Sequence, residues 1–317
     1  MSTETPAVEP TVVFLGGLGR SGSTLLSRAL GQVPGICAVG ELGFLWGQGV
    51  VGNRQCGCGE AFHDCEFWRA VGKHAFGGWD QVDASRAWEL RRSVERLRFV
   101  PALATGLAGS GFRARLADYT SLTSRVYAGI REASGCDVIV DSSKYPSMAY
   151  LARRTPGIDV RLLHLIRTSQ GVAYSWTKVV NRPDRGGKPM ARVSPTRTAV
   201  NWDIYNLMID AMAVFGIARL RVRYEDFVAD PEHELRRVLA LAGLDAGIEF
   251  DFIRGDEIDL RTTHMVSGNP MRFRAGTERM VRDDQWRTEL PAPTRRLVTA
   301  LTFPGLLRYG YRSRGLR

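Results

Sequence analysis

The chain of 317 residues is 44% hydrophobic and 24% charged, an ordinary composition for a globular protein with a sizeable core, and its length fits one large domain or two modest ones. Lysine plus arginine number 43 against 33 aspartates and glutamates; the net charge of +10 suits anionic partners, while the scatter of arginine over the whole chain argues against nucleic acid. No apolar run approaches the roughly 18–20 residues that cross a bilayer, so no transmembrane segment is expected and a cytoplasmic location with reduced cysteines is.

Residues 1–10, MSTETPAVEP, are polar and acidic and carry neither the basic nor the apolar region of a targeting signal; they are expected to form a disordered leader to a domain over residues 11–310. Thr11-Val12-Val13-Phe14-Leu15 reads as a short buried strand. It runs into Gly16-Gly17-Leu18-Gly19-Arg20-Ser21-Gly22-Ser23-Thr24, after which Leu25-Leu26-Ser27 continues helically. A strand, a small-residue loop and a helix start make a phosphate cradle, because the first helical N–H groups lack internal partners and point, with the helix dipole, at an anion. Gly17 to Thr24 fits the phosphate-loop spacing G-x-x-x-x-G-K-[ST] except that Ser23 stands where the lysine belongs, which argues against ordinary ATP or GTP chemistry. Arg20 supplies a cation from inside the loop. The bland alternative is a glycine-rich turn with no ligand.

The first helix must stop near Gly31 to Pro34, and Ile36-Cys37-Ala38-Val39 forms a second strand closed by Gly40-Glu41. A right-handed crossover makes the two strands parallel and delivers Glu41 beside the loop. From about 47 to 135 a helical insertion breaks the strand rhythm, with amphipathic helices over about 84–99 and 112–133. In its Gly/Cys-rich start, Cys56, Cys58, His63 and Cys65 are open to zinc or a disulfide, yet C-x-C with a third cysteine seven residues on is no standard finger spacing, and reduced structural thiols are the default. Strands resume at 136–140, ending in Asp141-Ser142-Ser143-Lys144, then at 159–167, ending in Arg167, and at 220–224, ending in Tyr224. A helix capped by Ser169 carries Ser175 and Trp176; residues 181–198 read as a mobile loop, about 199–216 as a long helix, and Pro231 opens another helix. Residues 251–286 show little periodicity and read as a loop closing over the sheet edge, with Arg272 and Arg274 as weak candidates for a clamp. His164 is read as a core residue and His264 as the reserve candidate for a base.

Five strands alternating with helices give an α/β fold, a P-loop-type parallel sheet flanked by helices, in a single domain with a helical insertion. Ligands bind such sheets beyond the carboxyl ends of the strands. Arg20, Glu41, Lys144, Arg167 and Tyr224 stand at those ends: three cations, one carboxylate and an aromatic, suited to an anionic nucleotide with several phosphates and one base aimed into the site. Each has an ordinary alternative. Glu41 could cap a strand end, Lys144 lie on the surface, Arg167 and Ser175 be structural, and Tyr224 belong to the core.

The loop Gly19-Arg20-Ser21-Gly22-Ser23-Thr24-Leu25-Leu26, the pair Leu165-Ile166-Arg167 with Ser175, and Arg223-Tyr224-Glu225-Asp226-Phe227 with Pro231 resemble the PAPS-dependent sulfotransferases, PAPS being 3′-phosphoadenosine 5′-phosphosulfate. The resemblance covers Val12 to Leu239. It implies that the loop binds the 5′-phosphosulfate, that Arg167 and Ser175 bind the 3′-phosphate, and that PAPS is the sulfate donor with no metal required. The Arg20-to-Glu41 spacing is similar to the protein-tyrosine sulfotransferase branch, where the glutamate is the base. The Cys56-Gly-Cys58-Gly and Cys65-Glu-Phe-Trp patch looks more like bacterial members. Glu41, Arg20 and Lys144 are thus the expected catalytic residues, Gly19, Arg20, Ser21, Gly22, Ser23, Thr24, Arg167, Ser175 and Tyr224 the donor-binding ones, and a hydroxyl on a small molecule, glycan or glycolipid the expected acceptor. A nucleotide-dependent kinase of the phosphate-loop type and a non-catalytic nucleotide-binding protein are the competing readings; Ser23 disfavours the first and Glu41 the second.

Overall fold

Strand β1 (Thr11–Gly16) is buried at every position after Thr11, as a run of Val, Val, Phe and Leu in a parallel sheet covered on both faces must be. In the computed structural model, which describes residues 9–245 and 247–311, β1 leads through the glycine loop to α1 (Ser23–Leu30) and β2 (Ile36–Gly40). Residues 1–8 of the expected leader lie outside the described residues. Pro10 accepts a hydrogen bond from the Asp159 N–H at 3.0 Å and so already lies against the sheet.

Between β2 and the next strand lie α2 (Glu66–Phe76), α3 (Ala84–Val94), α4 (Val100–Thr105) and α5 (Ser110–Ser134). The chain returns through β3 (Val138–Lys144), α6 (Pro146–Ala152), β4 (Asp159–Ile166), α7 (Ser169–Thr177), α8 (Pro195–Ala211), β5 (Arg219–Arg223), α9 (Tyr224–Ala229) and α10 (Pro231–Ala242). The five strands are parallel in the order β2-β3-β1-β4-β5. β1 is central, and its last residue, Gly16, lies level with Lys144 of β3 on one side and His164 of β4 on the other. The glycine loop therefore opens at the middle of the carboxyl edge, between the strand ends that carry Lys144 and Arg167. Alternate β1 side chains serve opposite faces. Val13 and Leu15 pack with α1, α9 and α10 through Leu26, Phe227 and Leu235, whereas Val12 packs toward the insertion, whose core holds Trp46, Trp68, Val126 and Ile130.

Several expectations at the edges of this sheet require correction. Residues 251–286 form no simple loop: β6 (Ile253–Arg254), β7 (Glu257–Leu260) and β8 (Gly276–Arg279) make a three-stranded antiparallel sheet. Only Ile258 and Leu260 of β7 point inward, and two alternations are too short to register as a period. The chain then forms α11 (Trp286–Glu289) and α12 (Ala292–Arg308), where no element was expected; Pro304 inside α12 and the lack of an apolar stripe hid that helix. The N-cap of α7 is Thr168, because the Ser169 hydroxyl turns to Thr302 of α12, 2.7 Å away. α8 begins at Pro195, behind a Ser194 cap, so the preceding loop is shorter than predicted. α2 and α4 were not anticipated. Among the described residues no helix is long and apolar enough to cross a membrane.

Candidate active site

Helix α1 begins without a side-chain cap and without an acidic residue in its first turn. Its free N–H groups are thus left to whatever anion enters the loop. Gly22 precedes it at φ +90°, and a Cβ there would stand 2.4 Å from a Tyr224 ring carbon, so Tyr224 can close against the loop only because residue 22 is glycine. Ser23 and Thr24 face the cavity. Ser21 does not, contrary to expectation: its hydroxyl turns back to donate to the Leu18 carbonyl at 2.8 Å, bracing the loop from within.

Arg20 and Lys144 have left-handed backbones, at φ +74° and +70°, which cost a side-chain-bearing residue about 1–2 kcal/mol each. The two turns are joined by a hydrogen bond from the Gly17 N–H to the Lys144 carbonyl, 3.1 Å. The Arg20 guanidinium lies over Trp176, 5.2 Å from the ring centre, and one terminal nitrogen is 3.2 Å from Met190 Sδ. Its Nε is buried and has no hydrogen-bond partner among the described residues. Burial pulls the Arg20 pKa down, with nearby Glu41 pulling the other way. A desolvated cation with an orphaned donor suits an incoming anion.

Lys144 Nζ forms an ion pair with Glu41 and donates to the Ser142 carbonyl at 3.1 Å. Both side chains are largely buried. The ends of β2 and β3 are joined by Asp141, which sequence reasoning treated only as part of a strand end. Its Oδ1 accepts from Leu42 N–H at 3.3 Å and Ser143 N–H at 2.9 Å, its Oδ2 from the Tyr127 hydroxyl at 2.8 Å. Burial pushes the Asp141 pKa up against the effect of these bonds. Ser143 Oγ in turn accepts from Gly43 N–H at 3.0 Å, completing the brace that brings Glu41 and Lys144 together. On its other side Glu41 is held by its own N–H, which donates to Ser267 at 3.2 Å; Gly40, at φ +77°, lets that strap approach, since a Cβ would come 2.6 Å from the Ser267 carbonyl.

Across the loop, Arg167 donates to the Arg20 carbonyl at 3.3 Å and stacks on Tyr224, 4.6 Å from its centre. Its second terminal nitrogen meets Asp283 twice, at the carbonyl (3.0 Å) and at Oδ2 (3.1 Å). Burial would raise the Asp283 pKa, but Arg167 and Lys178, the latter 3.3 Å away, outweigh it and hold it below the usual carboxylate range. Glu225, which accepts from Thr168 N–H at 3.0 Å and from Tyr311 at 2.8 Å, fixes the turn that carries Arg167.

One cavity of about 640 Å³ is lined by every predicted site residue except Ser21. Its remaining wall, which the sequence did not disclose, includes Phe44, Tyr145 and Tyr205, with the 182–193 loop opposite. Neither Arg272 nor Arg274, the weak candidates for a clamp, lines the cavity. Arg272 is buried and bonded to the Gly268 and Gln55 carbonyls and to Asp184, and Arg274 lies outside the cavity beside Glu278. His164 is a core residue, held by Asn206 at 2.9 Å and Asp210 at 3.4 Å. His264 faces away from the cavity toward the cysteines, with Nδ1 3.3 Å from Cys65 Sγ; His63, expected there, instead meets the Val50 carbonyl at 2.9 Å.

A model of the sulfotransferase family matches residues 10–247. Among solved structures, the sulfotransferase domain from the curacin biosynthetic pathway aligns with a TM-score of 0.54 at 18% identity, covering 96% of this chain and 99% of that one. The sulfotransferase domain of the Synechococcus PCC 7002 olefin synthase aligns with a TM-score of 0.48 at 20% identity, over 95% and 96% of the two chains. A search of curated proteins gives no match. The first of these likenesses, at 18% identity, speaks for the fold alone, while the family model spans most of the chain, from β1 through α10. The glycine loop, the strand ends beside it and the parallel sheet that assembles them all fall within that span, and the protein is an enzyme of the sulfotransferase family.

Proposed function

We propose that the enzyme transfers a sulfuryl group from PAPS to the hydroxyl of a small molecule, glycan or glycolipid. The observation that carries this reading is the convergence, in one cavity, of an uncapped helix N-terminus, the orphaned Arg20 Nε and the Glu41–Lys144 pair. The residues present fit the donor. Gly19, Gly22, Ser23 and Thr24 offer backbone and hydroxyl groups to the 5′-phosphosulfate; Arg167 and Ser175 take the 3′-phosphate; Tyr224 lies against both loop and Arg167.

In the reaction the acceptor oxygen forms a bond to sulfur, the bond from sulfur to the bridging oxygen of the phosphosulfate breaks, and PAP (adenosine 3′,5′-bisphosphate) leaves. Glu41 accepts the hydroxyl proton. Arg20 and Lys144 face the charge that grows on the departing phosphate. The sulfuryl group carries less negative charge than a phosphoryl group, so two side-chain cations suffice and no metal ion is needed for the transfer. Phe44, Tyr145 and Tyr205 give the acceptor an aromatic surface on which to lie.

Ligand-induced thermal stabilisation tests the donor. A ligand at 100 times its Kd adds about 2.7 kcal/mol of stability. PAP is expected to raise Tm and ATP with magnesium to leave it unchanged; the reverse pattern removes the PAPS reading in favour of a kinase. Incubation with labelled PAPS and an extract of the native organism, followed by mass spectrometry, identifies the acceptor.

A further inference from the structure

Three sulfurs and one imidazole nitrogen from distant parts of the chain meet beneath the cavity wall. Cys56, Cys58, Cys65 and His264 place their four ligand atoms within 4.8 Å of one another. Cys65 Sγ lies 3.7 Å from both Cys56 Sγ and Cys58 Sγ and 3.3 Å from His264 Nδ1, and Cys56 Sγ lies 3.9 Å from that nitrogen. A tetrahedral zinc ion with bonds of about 2.3 Å to sulfur and 2.0–2.1 Å to nitrogen requires edges of about 3.8 Å between sulfurs and about 3.5 Å between sulfur and nitrogen. The observed spacings straddle these values. They are far too long for a disulfide, whose sulfurs are about 2.05 Å apart, and all three thiols are free.

The surroundings have the form of a coordination shell. The His264 ring stacks on Phe67, with centres 5.0 Å apart, and its carbonyl accepts from Trp68 Nε1 at 2.9 Å, so both ring and backbone are fixed. Weak S–H contacts alone give little reason to gather four polar groups beside Phe62 and Trp68. Four ligands leave no open position, which marks a structural site.

We propose that Cys56, Cys58, Cys65 and His264 bind one Zn²⁺ ion, which clamps the start of the insertion to the strap that forms one wall of the active-site cavity. His264 follows Cys65 by 199 residues, so the ion closes a long chain loop, where a cross-link restricts the unfolded chain most. The strap continues directly from the site. Met265 accepts from Gly57 N–H at 3.0 Å, Val266 donates to Val39 at 3.0 Å, Ser267 accepts from Glu41 N–H, and Ser267, Gly268 and Asn269 line the cavity. The ion takes no part in the transfer; it holds the backbone that holds Glu41. Metal-free reduced thiols are the alternative that the test decides, and His264 stands in the cluster where His63 was expected.

The test uses the full chain purified under reducing conditions without chelators. Elemental analysis is expected to give close to one zinc per chain, Cys58→Ser and His264→Ala to lower that content several-fold, and Cys37→Ser, outside the cluster, to leave it unchanged. Exchange for Co²⁺ is expected to produce the intense visible bands of a tetrahedral thiolate complex, and removal of the metal by a chelator to lower Tm by several degrees, restored by Zn²⁺ alone. The cobalt spectrum and chelator arm use the unaltered chain, so they stand even if a variant misfolds. Metal-free protein whose Tm ignores added Zn²⁺, or zinc content indifferent to Cys58 and His264, overturns the proposal; one iron per chain in place of zinc overturns the identity of the ion.

Discussion

Glu41→Gln lowers turnover by about 10²- to 10⁴-fold, the range a positioned general base contributes, and leaves PAP affinity within a factor of about two. Glutamine keeps the shape of Glu41 and its backbone bond to Ser267 but cannot take the proton of an acceptor hydroxyl. It also ends the ion pair with Lys144, which retains the Ser142 carbonyl as a partner. The loop, Arg167 and Ser175 are untouched, so the phosphate contacts persist. Single-turnover kinetics with saturating donor separate the two effects. Turnover within tenfold of the unaltered enzyme assigns the base elsewhere, and a large loss of PAP affinity makes Glu41 a binding residue instead.

Arg167→Ala weakens PAP binding about 10- to 100-fold, since a charge-assisted contact to phosphate contributes about 1.5–3 kcal/mol. The geometry adds a second arm. Arg167 is already paired with Asp283, whose carboxylate competes for the guanidinium a 3′-phosphate needs. Asp283→Asn therefore tightens PAP binding by about threefold, a gain of the size of one partly exposed ion pair. Titration calorimetry of the two variants gives changes of opposite sign. Unchanged affinity in Arg167→Ala removes the 3′-phosphate assignment, and weaker binding in Asp283→Asn makes that carboxylate a support of Arg167 and not its competitor.

The sheet was legible because β1 to β4 centre on short apolar runs closed by Gly or a charged residue, and because parallel connections fix which ends share an edge. That logic alone brings Arg20, Glu41, Lys144, Arg167 and Tyr224 to one cavity. It fails where position depends on how a loop turns or on pairing across the chain. Nothing local distinguishes the Ser21 hydroxyl, turned inward to Leu18, from those of Ser23 and Thr24. Asp141 gives no hint from its neighbours that it joins Leu42, Ser143 and Tyr127. The place of His264 is hidden in the same way, since the cysteines it meets lie some two hundred residues earlier and His63 lies among them in sequence. Asp283 and the antiparallel sheet belong to a segment whose charges mask a pattern of only four residues.

Arg20 and Lys144 share one further property, their left-handed backbone. At Lys144 the largely buried ion pair with Glu41 opposes an exchange to glycine, but at Arg20, whose Nε has no partner among the described residues, the backbone favours glycine, and stability and chemistry pull in opposite directions. Glycine there would relax the backbone and delete a cation from the cavity in a single step. A lineage or a laboratory library selected only for heat tolerance drifts toward that exchange, and the transfer activity persists only while it is itself under selection.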